Sequence, residues 1–416
     1  MREDGPQSGL RVAIVGGGIG GLAAALALQC YCPNKISELD VFERREKTDD
    51  FGEGTGLMLW KNGMEILRQI DSVKSLGITT ALNDNAVALT GSDFESFGNQ
   101  NSMDGSMVGV QWSSLHKALL SAVEKCGGIR MNYGLRCASV SNCVDVPKVE
   151  ITFENHSSEP KNFEYDLVIA ADGINSGVRN QLFDKTPAVP QGRAIFRAVA
   201  ENSKLRESAE GSEFRLPPNR MDRSLICVRD PKKIAAYLPV SPDRTYWAAT
   251  IHKEPHELLA KDGSDAKALL LSEEFAMYPE LQEMVKLTPP EGIFFNHLKQ
   301  LDPLRTWING QVVLLGDAAH AMIPAAGQGV GMAVEDAQQL AVSLKGCKTL
   351  TEALQHYEST RMPRVTKVQI QNSQGARDAY KKTGARSDSE KMDRAEYNRF
   401  LYDYPGAVQP TSLPIS

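Results

Sequence analysis

A glycine-rich segment near the start of the chain carries the clearest chemical signal in the sequence. Residues 16–21 read GGGIGG and fit the pattern GxGxxG through Gly16, Gly18 and Gly21. In this pattern the first glycine permits a tight turn, the second lets a pyrophosphate approach the backbone, and the third lets a helix pack closely on a strand. The N-terminus of that helix offers free N–H groups and a positive dipole end to an anion. The segment therefore predicts a dinucleotide-binding turn.

An acidic residue follows this turn at the distance that dinucleotide binding requires. Glu43 ends the segment LDVFE, about 20 residues beyond the glycines, where a carboxylate accepts a hydrogen bond from a ribose hydroxyl. Its negative charge would repel a 2′-phosphate, so NADP is disfavoured in this particular site. The glycines and Glu43 predict a bound dinucleotide and leave FAD and NAD as alternatives.

Two later segments place an aspartate directly after an apolar, strand-like run. Residues 166–179 read DLVIAADGINSGVR, with Asp172 and Gly173 after the run, and residues 316–337 read GDAAHAMIPAAGQGVGMAVEDA, with Asp317 near the start. An aspartate at the carboxyl end of a strand, followed by small residues, can reach a ribityl hydroxyl without steric conflict. The turn at residues 327–329 precedes a helix whose N-terminus can place positive potential beside a negatively charged ring, such as a reduced flavin.

The apolar pattern predicts the elements that must position these residues. Leu10–Val15 and residues 39–43 are predicted strands, and the helix-forming segment LAAALALQ between them completes a β–α–β unit. Further along the chain we predict that residues 57–69 form the start of a helix, that residues 113–125 form a helix with serine caps, and that residues 163–170 form a strand.

The order of the predicted elements indicates the fold class. Residues 193–251 contain repeated strand-like pieces whose spacing predicts an antiparallel sheet, and the chain is helical and charged from residue 350 onward. We predict an α/β fold in which a doubly wound, Rossmann-like domain is interrupted by an antiparallel-sheet domain and followed by C-terminal helices. The predicted boundaries are 1–80, 108–185 and 301–345 for the parts of the first domain, 81–107 for an excursion toward the second, 186–300 for the second, and 346–416 for the helical region.

Composition and charge argue against several classes of function. The 416 residues carry a formal net charge of −6, which suggests neither a nucleic-acid surface nor a polybasic membrane patch. Seven scattered cysteines without a CxxC pair argue against a disulfide framework or a zinc site. We find no secretory signal and no apolar membrane span. We therefore expect a soluble, cytoplasmic protein without a metal or a nucleic-acid partner, and the sequence leaves its oligomeric state open.

The three motifs, in this order and at these separations, resemble those of the single-component (group A) FAD-dependent aromatic hydroxylases. That family includes salicylate hydroxylase-like enzymes and the fungal monooxygenases of secondary metabolism, and the resemblance runs from about residue 11 to about residue 404. It implies that the first motif holds the ADP part of FAD. It also implies that the motif at Asp172 serves FAD and NAD(P)H binding, and that Asp317 binds the ribityl chain. The sequence therefore predicts FAD as the dinucleotide and makes the first domain an FAD-binding domain.

The resemblance carries further positions over to this chain. Cofactor-contacting positions of the family are matched by the ribose carboxylate Glu43, the adenosine-side Arg44, the flavin-loop glycines Gly54 and Gly56, and the amides of Gly329, Val330 and Gly331 at the pyrimidine edge. On the substrate side, Arg197 matches an arginine that faces the substrate cavity. Tyr237 matches a tyrosine on the next long strand, and fungal relatives are considered to use both in catalysis.

Each of these assignments has a structural alternative. Arg197 could form a surface ion pair, and Tyr237 could pack within the sheet. His320 and Glu335 are expected to serve structure rather than acid–base chemistry. The chain also departs from the family at Trp112, which stands where relatives carry an arginine that contacts the flavin. An indole can stack on a ring, but it cannot form an ion pair with a phosphate.

The resemblance implies a reaction as well. NAD(P)H reduces FAD, oxygen adds to the reduced flavin to give a C4a-hydroperoxide, and this species hydroxylates or epoxidises an electron-rich aromatic or indole-type small molecule, as in natural-product biosynthesis. No second GxGxxG segment is visible, so NAD(P)H is expected to bind transiently. The alternatives are a flavin oxidase or dehydrogenase and, more remotely, a non-catalytic FAD-fold binding protein, which would need neither of the aspartate motifs.

Overall fold

Strands and helices alternate along the chain, of which the computed structural model describes residues 9–47, 55–89, 94–96, 107–155, 158–204, 225–229, 233–254, 256–257, 260–378, 394–404 and 406–407. The strands are β1 (Leu10–Val15), β2 (Ile36–Phe42), β3 (Gly56–Trp60), β4 (Ala86–Leu89), β5 (Phe94–Ser96), β6 (Met107–Gln111), β7 (Arg130–Asn132), β8 (Arg136–Asn142), β9 (Val149–Asn155), β10 (Ser158–Tyr165), β11 (Leu167–Ala170), β12 (Val189–Glu201), β13 (Leu225–Arg229), β14 (Lys233–Ser241), β15 (Arg244–His252), β16 (Phe294–Gln300), β17 (Ile308–Asn309) and β18 (Val312–Leu314). The helices are α1 (Ile19–Tyr31), α2 (Lys61–Lys74), α3 (Ile78–Asn85), α4 (Trp112–Cys126), α5 (Gly177–Leu182), α6 (Gly263–Leu271), α7 (Pro279–Leu287), α8 (Asp317–His320), α9 (Gly329–Gly346), α10 (Leu350–Asp378) and α11 (Arg394–Tyr402).

A parallel sheet forms the centre of the fold. Its strand order is β17-β18-β11-β1-β2-β7, and every neighbouring pair is parallel except β17 with β18. Val12, Ala13 and Ile14 are fully buried, as are all four residues of β11. Strands covered on both faces need continuous apolar runs, which is why LRVAIV and LVIA form them.

Helix α1 packs against α9 through small side chains. Residues 21–28 of α1 are buried on every side, and their alanines leave room for a neighbouring helix. A Cβ placed on Gly20 would lie 3.4 Å from the Cβ of Ala333 in α9. The glycine turn that precedes α1 is therefore anchored to the helix that follows the third motif.

Antiparallel sheets lie outside this core. The largest has the order β16-β12-β15-β14-β13-β5, and two three-stranded sheets have the orders β3-β6-β4 and β10-β9-β8. Strand β5, from the predicted excursion, pairs with β13 of the large sheet. The mixed architecture of a parallel sheet, separate antiparallel sheets and C-terminal helices confirms the predicted fold class. The predicted domain boundaries stay a prediction.

The large sheet has two buried faces with different neighbours. Phe196, Tyr237 and Trp247 belong to an apolar cluster that includes Leu270 of α6 and Leu281 of α7, and we call this side the far face. On the other side Leu238 and Val240 join the core of the parallel-sheet domain, and we call this side the near face. The large sheet thus packs against α6 and α7 on its far face and against the parallel-sheet domain on its near face.

Three sequence predictions are wrong in detail. Residues 57–60 belong to β3, because they pair with β6, and α2 begins only at Lys61. The single strand predicted over residues 163–170 is two strands in different sheets. They separate at Asp166, whose Oδ2 accepts a hydrogen bond from the backbone N–H of Arg11 at 2.8 Å. Helix α4 begins at Trp112 without a serine cap, since its N-cap residue is Gln111 and no side chain caps it. Among the described residues, no helix is long and apolar enough to cross a membrane.

Candidate active site

The three motifs meet at one edge of the parallel sheet. Gly16 follows β1, Asp172 follows β11 and Gly316 follows β18, and these three strands are adjacent and parallel. The first two motifs touch, because a Cβ on Gly16 would lie 2.4 Å from the carbonyl oxygen of Ala171. The carboxyl ends of parallel strands form the crevice in which doubly wound folds bind ligands. This edge is therefore the candidate active site.

The glycine turn is closed on one side and open on the other. Gly16 has a φ of +110°, and a Cβ on Gly21 would lie 1.9 Å from the carbonyl oxygen of Gly16. A Cβ on Gly18 would meet nothing within 4 Å, and no side chain caps α1 at this residue. The protein itself therefore requires glycine at positions 16 and 21. The space at the α1 N-terminus is open to an anion.

Gly17, inside the turn, is held from both sides. Its N–H donates to Oε2 of Glu43 at 2.9 Å, and Oε1 of Glu43 accepts from the backbone N–H of Arg45 at 3.0 Å. Nε2 of His116 donates to the carbonyl oxygen of Gly17 at 2.8 Å, since a carbonyl can only accept. Burial lowers the pKa of His116, which favours the neutral imidazole. Glu43 thus supports the turn directly, while Arg44 beside it is exposed.

Trp112 contacts His116, the residue that donates a hydrogen bond to Gly17. Its indole stacks on the ring of His116, with ring centroids 4.7 Å apart and planes 14° apart. Its backbone N–H donates to the carbonyl of Thr55 at 2.9 Å, just before β3. The sequence did not indicate His116 as a site residue. One signal that could have indicated it is its position one helical turn after Trp112, where side chains meet on one face.

Asp172 has one satisfied and one unsatisfied carboxylate oxygen. Oδ2 accepts from the backbone N–H groups of Gly177 at 2.8 Å and Val178 at 3.3 Å, at the start of α5. Oδ1 is buried and has no hydrogen-bond partner in the described part of the chain. Burial raises the pKa of this carboxyl group. Nearby, Nη1 of Arg179 donates to the carbonyl of Ala318 at 2.9 Å and so joins the second motif to the third.

The third motif is supported by a buried aspartate. The N–H of Gly316 donates to Oδ2 of Asp336 at 3.1 Å, and Nε2 of His320 lies 2.5 Å from the same oxygen. His320 is fully buried in this contact. The side chain of Asp317 is exposed, although protein on most sides limits its hydration and raises its pKa. Asp317 is the group of this motif that remains available to a ligand.

The N-terminus of α9 adjoins a buried polar cluster. Nothing lies within 4 Å of a Cβ placed on Gly329, and Val330 is half-buried. Nδ2 of Asn62 donates to Oε1 of Gln328 at 3.1 Å and to Oε1 of Glu335 at 2.7 Å. Nε2 of Gln328 and Oδ1 of Asn62 are buried and have no partner among the residues that the structure describes. An unused donor and acceptor beside an open helix N-terminus suit the polar edge of a ring.

Glu335 belongs to a buried ion network. Nη1 of Arg361 lies 2.5 Å from Oε2 of Glu335, Nε of Arg361 lies 2.8 Å from Oδ1 of Asp336, and Nε of Arg364 lies 2.7 Å from Oε2 of Glu335. Burial alone would raise the pKa of Asp336, but the charges of His320 and Arg361 lower it. These ion pairs fix the first turns of α9 to α10, as expected of residues that serve structure.

Gly56 brings β3 against the antiparallel sheet. A Cβ on Gly56 would lie 2.5 Å from Cβ and Cγ of Tyr246 in β15, and 2.8 Å from Cγ1 of Val240 in β14. Only glycine permits this approach, so the start of β3 touches the near face of the sheet. Gly54, predicted for the same loop, lies outside the described residues.

The two predicted catalytic residues lie on opposite faces of this sheet. Arg197 in β12 pairs with Ala248 in β15, whereas Tyr237 in β14 pairs with Trp247, the preceding residue of β15. Directly opposed residues share a face, and successive residues alternate between faces. Arg197 is half-buried on the near face, and Tyr237 is 2% exposed on the far face. The structure therefore does not bring Tyr237 to Arg197, contrary to their predicted joint action.

The groups at the sheet edge fit a flavin dinucleotide as a set. The open α1 N-terminus suits a pyrophosphate, the free oxygen of Asp172 and the exposed carboxylate of Asp317 suit hydroxyl groups, and the α9 N-terminus suits a ring edge. In the ranges described, no group of three or more His, Cys, Asp or Glu residues could hold a metal ion.

Comparison with known proteins gives the same picture. Residues 9–372 match the family model described as "FAD binding domain". The aurachin C monooxygenase/isomerase of Stigmatella aurantiaca is 28% identical over 371 residues, which cover 86% of this chain and 86% of that protein. The FAD-dependent monooxygenase atnJ of Arthrinium sp is 28% identical over 435 residues, covering 97% of this chain and 96% of that protein.

Solved structures share the fold. Klebsiella pneumoniae HpxO, complexed with FAD and uric acid, is 23% identical with a TM-score of 0.72, and 91% of each chain is covered. A salicylate hydroxylase substrate complex is 21% identical with a TM-score of 0.71, covering 98% of this chain and 100% of the other. At these identities the likeness establishes the fold alone.

Proposed function

The chain belongs to the FAD binding domain family and is an FAD-dependent monooxygenase, and from this premise we propose its electron donor and substrate class. In the proposed reaction NAD(P)H supplies two electrons, one oxygen atom of O2 enters an electron-rich aromatic or indole-type small molecule by hydroxylation or epoxidation, and the other oxygen atom leaves as water. FAD supplies the electron transfer and the activation of oxygen, while the protein binds, orients and excludes water. Location in the cytoplasm remains part of this proposal.

We assign the phosphate end of FAD to the glycine turn. Gly18 leaves the approach to the α1 N-terminus free, and Gly16 and Gly21 keep the turn tight against Ala171. The carboxylate of Glu43 already accepts two backbone N–H groups. Each of its oxygens retains a further lone pair for a ribose hydroxyl. The exposed Arg44 is the proposed adenosine-side contact.

We assign the flavin end to the other two motifs. Asp317 is the proposed ligand of the ribityl chain, and Oδ1 of Asp172 is a second acceptor at the same edge. The amides of Gly329 and Val330, at the α9 N-terminus, favour negative charge on the pyrimidine edge of the reduced ring. Gly56 marks where the loop along the flavin meets the substrate-side sheet.

Arg197 is the proposed substrate-side cation. It lies on the near face of the large sheet, and its Nε is buried without a hydrogen-bond partner in the described part of the chain. A buried guanidinium nitrogen without an acceptor is costly unless a bound molecule supplies one. One observation carries the proposal. The edge where the three motifs meet lies beside a sheet face on which a cation, Arg197, is available to a substrate.

The decisive experiment uses the purified yellow protein with NADH or NADPH, a substrate panel and labelled oxygen. The panel contains phenols, aromatic acids, hydroxylated N-heterocycles and indole alkaloids. We expect at least one compound to stimulate NAD(P)H oxidation and to gain one ¹⁸O atom from ¹⁸O₂.

Two outcomes would contradict the proposal. Substrate oxidation with stoichiometric hydrogen peroxide and no ¹⁸O in the product would make the protein an oxidase. Purification without FAD, with no uptake of added FAD, would make it a binding protein of the fold without flavin chemistry. A mock reaction with heat-denatured protein controls for free-flavin oxidation of NAD(P)H.

A further inference from the structure

The near face of the large sheet carries a tyrosine that the sequence did not single out. In β15, Trp247, Ala249 and Ile251 belong to the far-face cluster, so Tyr246 lies on the opposite face. Tyr246 pairs with Val199, two residues from Arg197 along β12. Diagonal neighbours of this kind are within reach of long side chains. Tyr246, not Tyr237, therefore shares a face with Arg197.

Tyr246 lies between the parts of the molecule that build the flavin site. Its Cβ and Cγ would lie 2.5 Å from a Cβ on Gly56, at the start of β3. It also packs on a small apolar cluster that contains Ile195, Leu298 and Ile323. Ile323 lies within the segment of the third motif, between Asp317 and α9. The tyrosine thus contacts the start of β3 and packs on a cluster to which the segment between Asp317 and α9 contributes Ile323.

The polar groups on this face are incompletely satisfied. Nε of Arg197 and Oγ1 of Thr250 are buried without a hydrogen-bond partner in the described ranges. Thr250 pairs with Ile195, so it flanks Arg197 on one diagonal while Tyr246 flanks it on the other. Burial raises the pKa of Tyr246 to about 12, although the charge of Arg197 opposes the rise. The phenol hence stays protonated and can donate a hydrogen bond.

We propose that Tyr246 is the tyrosine that contacts the substrate together with Arg197, and that its hydroxyl donates to an acceptor oxygen on the aromatic substrate. This assignment rests on the proposed function, and it replaces Tyr237 in the role that the sequence predicted. Arg197 and Tyr246 bind the acceptor group from the adjacent strands β12 and β15.

The kinetic test compares Tyr246→Phe with Tyr237→Phe, each loaded with FAD. With the panel compound that the wild type hydroxylates, Tyr246→Phe should raise KM about tenfold and leave FAD content and Tm unchanged, because it removes one hydrogen bond and no volume. A smaller effect of Tyr246→Phe than of Tyr237→Phe on KM would overturn the assignment, as would a change below twofold.

A second measurement does not depend on turnover. The protein is labelled with 3-fluorotyrosine, and the ¹⁹F resonances of residues 246 and 237 are identified from the two phenylalanine variants. Addition of FAD to the apoprotein, followed by anaerobic reduction with dithionite, should shift the resonance of Tyr246 more than that of Tyr237. A larger response of Tyr237 would overturn the assignment even if no panel compound is oxidised. If the ¹⁹F resonance of Tyr246 shifts but no panel compound is oxidised, the assignment of Tyr246 stands and the proposed substrate class is wrong.

Discussion

At the residue scale, the glycine turn contains one glycine that the fold itself requires, Gly21, and one that the fold does not require, Gly18. A Cβ on Gly21 collides with the backbone of Gly16, whereas a Cβ on Gly18 meets open space. Gly18 has extended backbone angles, φ −74° and ψ −179°, that any residue adopts. Nothing in the protein alone therefore requires glycine at position 18, which supports its proposed role beside the pyrophosphate.

This difference leads to a paired prediction. Gly18→Ala should leave the unfolding free energy of the apoprotein within about 0.5 kcal/mol of wild type, and it should weaken FAD binding at least about tenfold by obstructing the phosphate. Gly21→Ala should destabilise the apoprotein itself by about 1–3 kcal/mol through overpacking. Urea unfolding of the apoproteins and fluorescence titration with FAD measure both effects. Equal apoprotein stability of the two variants would contradict the argument.

A second residue-scale prediction concerns His116, whose pKa is lowered by burial. The unfolded chain takes up this proton first, as pH falls through the ordinary histidine pKa of about 6.5, so stability is lost below that pH. His116→Gln keeps a donor for Gly17 but has no proton to gain. Its apoprotein Tm should therefore fall less than that of wild type as the pH drops from neutral into this window.

The control for His116 is a second histidine. Burial also lowers the pKa of His356, so wild type and His116→Gln share that contribution, and only the difference between their Tm profiles reports on His116. Parallel profiles on both sides of about pH 6.5 would argue against a neutral His116 in the folded protein.

At the scale of elements, buried ion pairs fix the helix that follows the third motif. Arg361 is fully buried and joins Glu335 and Asp336 in α9 to α10. Asn62 of α2 and Arg364 of α10 also bind Glu335. The network therefore holds the α9 N-terminus, with its open Gly329, at a fixed position relative to α2 and α10.

Arg361→Met should destabilise the protein by about 3–5 kcal/mol, because it leaves two buried carboxylates with less compensation. Lys61→Met is the matched control, since it removes an exposed ion pair with Asp403 at 3.3 Å and should cost about 1 kcal/mol or less. Urea unfolding of both apoproteins measures the difference. Similar losses of unfolding free energy in the two variants would show that the buried network stabilises the protein no more than an exposed ion pair does.

At the scale of the whole molecule, the proposed active site lies where the near face of the large sheet meets the parallel-sheet domain. The parallel sheet supplies the candidate cofactor edge, and the near face supplies Arg197, the proposed substrate-side cation. Gly56 packs against Tyr246, and Ile323 shares a small apolar cluster with Ile195. Both contribute to the junction beside Leu238 and Val240. The proposed chemistry therefore needs groups from both parts of the molecule.

Arg197→Ala tests this arrangement. We expect unchanged FAD content and a fall in kcat/KM of about 10- to 150-fold, which corresponds to the loss of a charge-assisted hydrogen bond of about 1.5–3 kcal/mol. Lys299→Met, which removes an exposed cation from β16 of the same sheet, is the control and should keep wild-type turnover. Unchanged turnover in Arg197→Ala would remove this residue from the substrate site.

The sequence by itself determined the cofactor and the fold class. Three short motifs specify backbone geometry and a carboxylate at the ends of buried strands. Such local features depend only on residues that are consecutive in the chain, so they can be read from the sequence. The same locality explains why β1, α1 and the start of α9 were predicted close to their actual positions. It also explains why residues 57–60 were not, because their strand exists only through pairing with β6.

Tertiary structure alone decided which tyrosine accompanies Arg197. Side chains along a strand alternate between two faces, so a pattern such as RTYWAATI defines two sets of residues without saying which set meets the flavin domain. That choice depends on the register of β12, β14 and β15 and on the packing of α6 and α7 against one face. His116, Asn62 and Gln328 were missed for the same reason, since each acts through partners distant in the chain.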